Sequence, residues 1–293
     1  MNIVETMGDA ELFEPWFAGS SWSAWRVALK GAYALPMTKA ERNVFCTIAG
    51  REPPRKPVRE CWFVIGRRGG KDSIASLMGT YTAAFFDPRG KLRRGERASV
   101  LCLAVDREQA GIVLGYIKSY FAEIPYLKRM VTNETISGPE LSNGVDIVVA
   151  TNDYRSVRGR AVALAILDEV AYWRDDRSVA PDTETYNAIV PGTVTVGGLI
   201  IGISSPHRKS GLLYERWREH YGQKGEVLVI RAPSLTMNPT LDKKLIDKEI
   251  ERDPAVGRAE WLAEWREDLA SSTGRLSRQR SIPVLWFGHA FRT

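Results

Sequence analysis

Short continuous apolar runs alternate along this chain with longer stretches whose apolar positions recur at helical spacing. Cys61-Trp62-Phe63-Val64-Ile65 reads as a strand buried on both faces. A glycine turn and a helix over about 72–86 come next. Residues 99–104, 145–150, 161–167, 199–204 and 227–230 read as further strands. Residues 107–121, 186–190, 211–221, 241–252 and 254–268 read as helices. Strands of this type alternating with helices predict an α/β fold, a mostly parallel sheet covered on both faces in three layers.

The flanks have a different texture. Residues 1–57 form a small helical, aromatic leader in which Trp16, Phe17, Trp22 and Trp25 lie close together. Thr38 and Glu41 make a capping box ahead of Val44, Phe45 and Ile48 and so start a helix, which Pro53, Pro54 and Pro57 end. The α/β unit occupies 58–269. Residues 270–293 form a basic, irregular tail with no Asp or Glu.

Composition narrows the classes. The chain has 293 residues and a net charge of +6, which permits a polyanionic partner without requiring one. Its three cysteines have no CxxC spacing and its three histidines are scattered. These spacings argue against a disulfide framework and a zinc knuckle, and a metal here is expected to be a hard ion held by oxygen. The longest apolar run, 161–167, is too short to span a bilayer, and the acidic N-terminus does not read as a secretory signal. The expectation is a reducing cytosol with no membrane contact. Positive charge crowds two stretches, one around Arg67, Arg68 and Lys71, the other around Arg89, Lys91, Arg93 and Arg94. The second is either a solvated surface or a polyanion contact.

Candidate chemistry concentrates at strand ends. Gly66-Arg67-Arg68-Gly69-Gly70-Lys71-Asp72-Ser73 joins a strand to a helix, the context of a phosphate-cradling loop. The match to GxxxxGK[ST] departs twice: Gly66 falls one position late, and Asp72 stands where a hydroxyl is expected, with Ser73 next. Asp168 and Glu169 end the strand 161–167. There Asp168 can hold Mg²⁺ and Glu169 can polarise an attacking water. Ser204 and Ser205 end the next strand, where they can sense the γ-phosphate. Arg155, Arg158 and Arg160 precede the acidic strand and are candidates for DNA phosphates or a neighbouring subunit's nucleotide.

In these motifs the chain resembles the large terminase subunit of tailed double-stranded DNA bacteriophages. The Gly66–Lys71 loop is similar to that family's variant Walker A, and Ile166-Leu167-Asp168-Glu169 to its Walker B. Ser204-Ser205-Pro206 is similar to its coupling motif, and Met237-Asn238-Pro239-Thr240 and Ala263-Glu264-Trp265-Arg266 to its closing segments. The resemblance implies a P-loop NTPase of the additional-strand type, with ATP and Mg²⁺ as ligands. It implies an ATPase that drives double-stranded viral DNA into a procapsid in the bacterial host's cytoplasm. Its partners would be the portal protein, the small terminase subunit and further copies of itself in a ring. Lys71 and the loop backbone would hold phosphates, Asp168 and Ser73 the metal. Glu169 would activate water, Arg67 or Arg68 would neutralise transition-state charge, and Ser204 and Ser205 would couple hydrolysis to movement. The family's nuclease domain has no counterpart before Thr293, so nuclease activity is expected to be absent. The alternatives are a nucleotide-dependent DNA-binding or assembly protein with little turnover, and a helicase-like remodeller.

Overall fold

The computed structural model describes residues 1–105, 107–151, 157–173 and 181–267. Its strands are β1 (Glu60–Ile65), β2 (Ala98–Ala104), β3 (Val131–Thr135), β4 (Gly138–Leu141), β5 (Val145–Thr151), β6 (Ala161–Asp168), β7 (Leu199–Ser204) and β8 (Val227–Ala232). They form one sheet in the order β3-β4-β5-β2-β6-β7-β1-β8. From β5 to β8 every neighbouring pair is parallel. The hairpin β3–β4 adds an antiparallel edge beyond β5.

The longer helices are α1 (Ser23–Ala32), α2 (Lys39–Ala49), α3 (Lys71–Phe85), α4 (Arg107–Glu123), α5 (Pro181–Val196), α6 (Leu212–His220), α7 (Lys243–Arg252) and α8 (Pro254–Leu262). The period-2 geometry of a strand sends successive side chains of β1 to opposite faces. Cys61, Phe63 and Ile65 join one core with Ile74 and Leu77 of α3 and Ile117 of α4. Trp62 and Val64 join a second core with Ile189 of α5 and Leu213 of α6. Two buried faces explain why the strand reads as a continuous apolar run.

The leader shares the first core. Trp25 packs edge-on against Phe63 at 5.3 Å, and Phe13 against Tyr120 at 5.3 Å. Thr38 caps α2 as the sequence predicts: its Oγ1 accepts from the Glu41 N–H, and its own N–H donates to Glu41 Oε2 at 2.8 Å.

Three elements differ from expectation. Helix α5 runs sixteen residues rather than the few of 186–190, because Pro191 lies inside it without ending it. Tight packing against the neighbouring chain segment holds that helix: a β-carbon on Gly192 would come 2.4 Å from the Arg160 carbonyl. Helix α8 stops at Leu262, where Ala263 turns left-handed at φ 54°, well short of 268. The β3–β4 hairpin has no apolar signature, since the middle of β3 is exposed. The tail 270–293 lies outside the described residues.

Parallel strands bring Ile65, Asp168, Ser204 and Ala232 to one end of the sheet. Strand β7 lies between the strand that leads into the glycine loop and the strand that ends in Asp168. This is the additional-strand order, with one strand inserted between those two. Among the described residues no helix is long and apolar enough to cross a membrane.

Candidate functional site

The segment 66–70 leaves β1 and turns directly into α3. Gly66 must be glycine, since a β-carbon there would come 2.3 Å from Ser234 Oγ and 2.8 Å from the Trp261 carbonyl. Gly70 holds φ 88° at the N-cap of α3, a conformation that favours glycine. The first intrahelical bond is donated by Ile74 N–H to the Gly70 carbonyl. The amides of Lys71, Asp72 and Ser73 therefore sit in the turn whose N–H groups have no helical partner, and the helix dipole adds partial positive charge.

Lys71 is 6 % exposed. Its Nζ lies 3.3 Å from Ser205 Oγ, 3.4 Å from the Ile65 carbonyl and 3.9 Å from Glu169 Oε1. Glu169 takes a left-handed φ of 46°, an uncommon conformation for a residue with a side chain. That turn carries its carboxylate toward Lys71, and Ser204 Oγ donates to Glu169 Oε2 at 2.8 Å. The structure thus brings Lys71, Glu169, Ser204 and Ser205 into one cluster.

Asp168 is 4 % exposed, and its Oδ1 has no hydrogen-bond partner. Burial, reinforced by the negative charges of Asp72 and Glu169 and opposed by Lys71, pushes its pKa up to about 8. Burial first, then Glu169, also raises the Asp72 carboxyl, against Lys71 and Arg68. A buried, unpartnered carboxylate oxygen among acidic neighbours fits a divalent cation, which would supply the missing positive charge. Among the described residues no group of three or more His, Cys, Asp and Glu forms a metal cage. Carboxylate and hydroxyl oxygens are hard donors of the kind Mg²⁺ takes, an ion that usually keeps several waters and completes its shell with phosphates. Asp168 would hold it, and half-buried Ser73 and Asp72 stand in the adjoining first turn of α3.

Both loop arginines carry exposed side chains. Arg67 lies 3.4 Å from Glu260 Oε2, while Tyr172 donates to the other oxygen of that carboxylate at 3.3 Å. Arg68 has a left-handed φ of 59°. Arg158 and Arg160 lie just before the N-terminal end of β6, with the eight residues of that strand between them and Glu169. At the rise of an extended strand that is roughly 25 Å. The structure does not bring these two to the Lys71 cluster of the same chain, and Arg155 lies outside the described residues.

Sequence reasoning did not single out Trp25, Ser234 or Glu260 as neighbours of the loop. Ser234 Oγ donates to the Arg67 carbonyl and Trp25 Nε1 to that of Gly69, each at 2.7 Å. Only Asn238, in the Met-Asn-Pro-Thr segment, carried a signal; its Nδ2 donates to the Arg68 carbonyl at 3.0 Å. A cleft of about 170 Å³ opens beside the loop between Trp22 and Asn238. A larger one of about 390 Å³, lined by Tyr33, Tyr81 and Leu199, includes the N-terminal end of β7 and is remote from this chemistry.

The fold is shared with large terminases of known structure. The ATPase domain of the large terminase from Thermus phage P74-26 matches with a TM-score of 0.53 at 19% identity, over 75% of this chain and 97% of that one. The large terminase of bacteriophage HK97 matches with a TM-score of 0.53 at 17% identity, over 84% of this chain and 55% of its own length. The chain thus spans nearly all of an isolated terminase ATPase domain and about half of a longer terminase. No family model and no curated protein matches the sequence. At these identities the likeness establishes the fold: an α/β P-loop type with a mostly parallel sheet.

Proposed function

We propose that this chain hydrolyses ATP and couples hydrolysis to the movement of double-stranded DNA, as the motor ATPase of a phage terminase. The observation that carries the reading is the Lys71 ammonium, buried where the glycine loop enters α3, 3.9 Å from Glu169 and 3.3 Å from Ser205. A fixed positive charge facing a helix N-terminus has an anion as its natural ligand, and a carboxylate beside it is placed for water activation.

In this reading the loop amides and Lys71 bind the β- and γ-phosphates. Glu169, oriented by Ser204, takes a proton from the attacking water. Its left-handed backbone and the Ser204 bond hold the carboxylate in place before substrate arrives. Asp168 and Ser73 would hold Mg²⁺, which would supply charge neutralisation for the phosphates. Arg67 or Arg68 adds positive charge at the γ-phosphate, and release of Arg67 from Glu260 is part of that step. Ser205 contacts Lys71 and Ser204 contacts Glu169, so departure of the γ-phosphate changes the surroundings of both.

The DNA half rests on the fold shared with terminase ATPases and on a basic surface. Arg89, Lys91, Arg93 and Arg94 are exposed in the loop after α3, the helix that begins at Lys71. The remaining partners in this reading are a portal protein, a small terminase subunit and further copies of the chain in a ring, in the cytoplasm of a bacterial host. The deciding experiment is ATPase activity measured with and without duplex DNA across a range of protein concentrations. DNA stimulation that grows with concentration supports a ring motor. Nucleotide binding without turnover instead supports an assembly protein, a reading that the half-buried Asp72 beside the phosphate loop favours.

A further inference from the structure

Three consecutive carbonyls of the glycine loop are each held by a different side chain. Ser234 holds that of Arg67, Asn238 that of Arg68 and Trp25 that of Gly69. Ser234 and Asn238 lie after β8 in the chain, whereas Trp25 belongs to the leader. A peptide unit is planar and trans, so the carbonyl of one residue and the N–H of the next point in opposite directions. Fixing the carbonyls of 67, 68 and 69 therefore fixes the N–H groups of Arg68, Gly69 and Gly70. The Gly69 N–H turns back onto the Gly66 carbonyl at 3.2 Å. Those of Arg68 and Gly70 are aimed away from the carbonyls that Ser234 and Trp25 hold.

Trp25 is completely buried, and its ring is wedged against Phe63 of β1. Its donor cannot swing aside. Trp22 closes over the next residue, 2.9 Å from where a β-carbon on Gly70 would stand. A buried indole N–H needs some acceptor, and that requirement alone would make the Trp25 bond structural. Half-buried Asn238 has no such need, yet it holds the adjacent carbonyl of the same loop.

We propose that Trp25 and Asn238 are positioning residues of the phosphate loop, setting its amide directions before nucleotide arrives. The leader is then part of the nucleotide site. This inference rests on the phosphate-binding reading of the loop. Without the bonds, the freed peptide units rotate among conformers and only a fraction of molecules is ready to bind. Apparent affinity falls by that fraction, equally for the ground and transition states.

Trp25→Phe keeps an aromatic ring and removes the N–H. It is expected to raise KM for ATP and the calorimetric Kd for ADP together, by about fivefold to tenfold, the worth of one neutral hydrogen bond. The value of kcat should stay within about twofold of wild type, because chemistry in the bound state is untouched. Asn238→Ala releases the carbonyl of a peptide unit that the Gly69 N–H still ties to Gly66, so it should show the same pattern more weakly, by about twofold to fivefold, without opening the core; it also serves as the test if Trp25→Phe does not fold. Unchanged KM and Kd, or a fall in kcat that merely tracks the fraction of folded protein, overturns the proposal. Lys71→Ala separates the two ideas. If it abolishes nucleotide binding while Trp25→Phe and Asn238→Ala bind normally, only the positioning role falls. If Lys71→Ala binds nucleotide like wild type, the phosphate-loop reading falls and takes this inference with it.

Discussion

Ser204 donates to Glu169, with Oγ 2.8 Å from Oε2, across the gap between the ends of two adjacent strands. The carboxylate is thereby fixed from one side while Lys71 draws it from the other. Ser204→Ala should leave ATP affinity near wild type and lower kcat by about tenfold to a hundredfold, the usual cost of a misplaced catalytic group. Steady-state kinetics decide it: an unchanged kcat would show that Glu169 needs no such support.

Lys71 and Glu169 should separate binding from chemistry. Lys71→Ala removes the buried cation of the cluster and should nearly abolish ATP binding. Glu169→Gln keeps shape and removes the base, so binding should persist while kcat falls by about 10²-fold or more. Parallel loss of binding and turnover in Glu169→Gln would make Glu169 a ligand or structural residue instead.

Asp168 gives a pH signature in the metal-free protein. Its folded pKa of about 8 lies above the ordinary carboxylate value, so the folded state favours the protonated form. Its contribution to stability is fully present at low pH and is lost as pH rises from the ordinary value through about 8. Asp168→Asn mimics the protonated form. In EDTA it should stabilise the protein at pH 8.5 by about 1–3 kcal/mol, the scale of a buried unpaired polar group. The gain should shrink steadily toward pH 4, as read by thermal melts at each pH. A gain independent of pH would assign the effect to packing.

The basic loop after α3 predicts a salt dependence. Removing one phosphate-binding side chain should flatten the plot of log affinity against log salt by about 0.9. Arg93→Ala combined with Arg94→Ala should therefore reduce the slope for duplex DNA by about 1.8, with basal ATPase activity unchanged. Fluorescence anisotropy over a salt series measures it. An unaltered slope places the DNA elsewhere.

The parallel core was legible because its strands are buried on both faces, and continuous apolar runs such as Cys61–Ile65 have no other economical reading. The glycine loop, Asp168 and Glu169 were legible for a related reason, since each sits where an apolar run stops. The β3–β4 hairpin was not, because Val131–Thr135 is an edge strand with polar, exposed residues. Pro191 concealed the length of α5, since a proline inside a helix reads locally as a terminus. Trp25 and Glu260 were missed for a deeper reason. Their partners Gly69 and Arg67 are 44 and 193 residues away, and local spacing does not encode such contacts. The aromatic leader announced that it would be buried, but not against what.

Strand β7 also works as a spacer. Because it lies between β1 and β6, the glycine loop and Glu169 begin two strand widths apart, roughly 10 Å. The Lys71 and Glu169 side chains together close that distance to 3.9 Å, and the two hydroxyls at the tip of β7 hold their ends, one turned to each. A small slide of β7 along its partners, or a change in local twist, would shift both contacts in a single movement. The strand end is thus a gauge that touches both cation and carboxylate. Pro206 and the segment running on to α6 follow directly in the chain, so such a slide would carry into them as well.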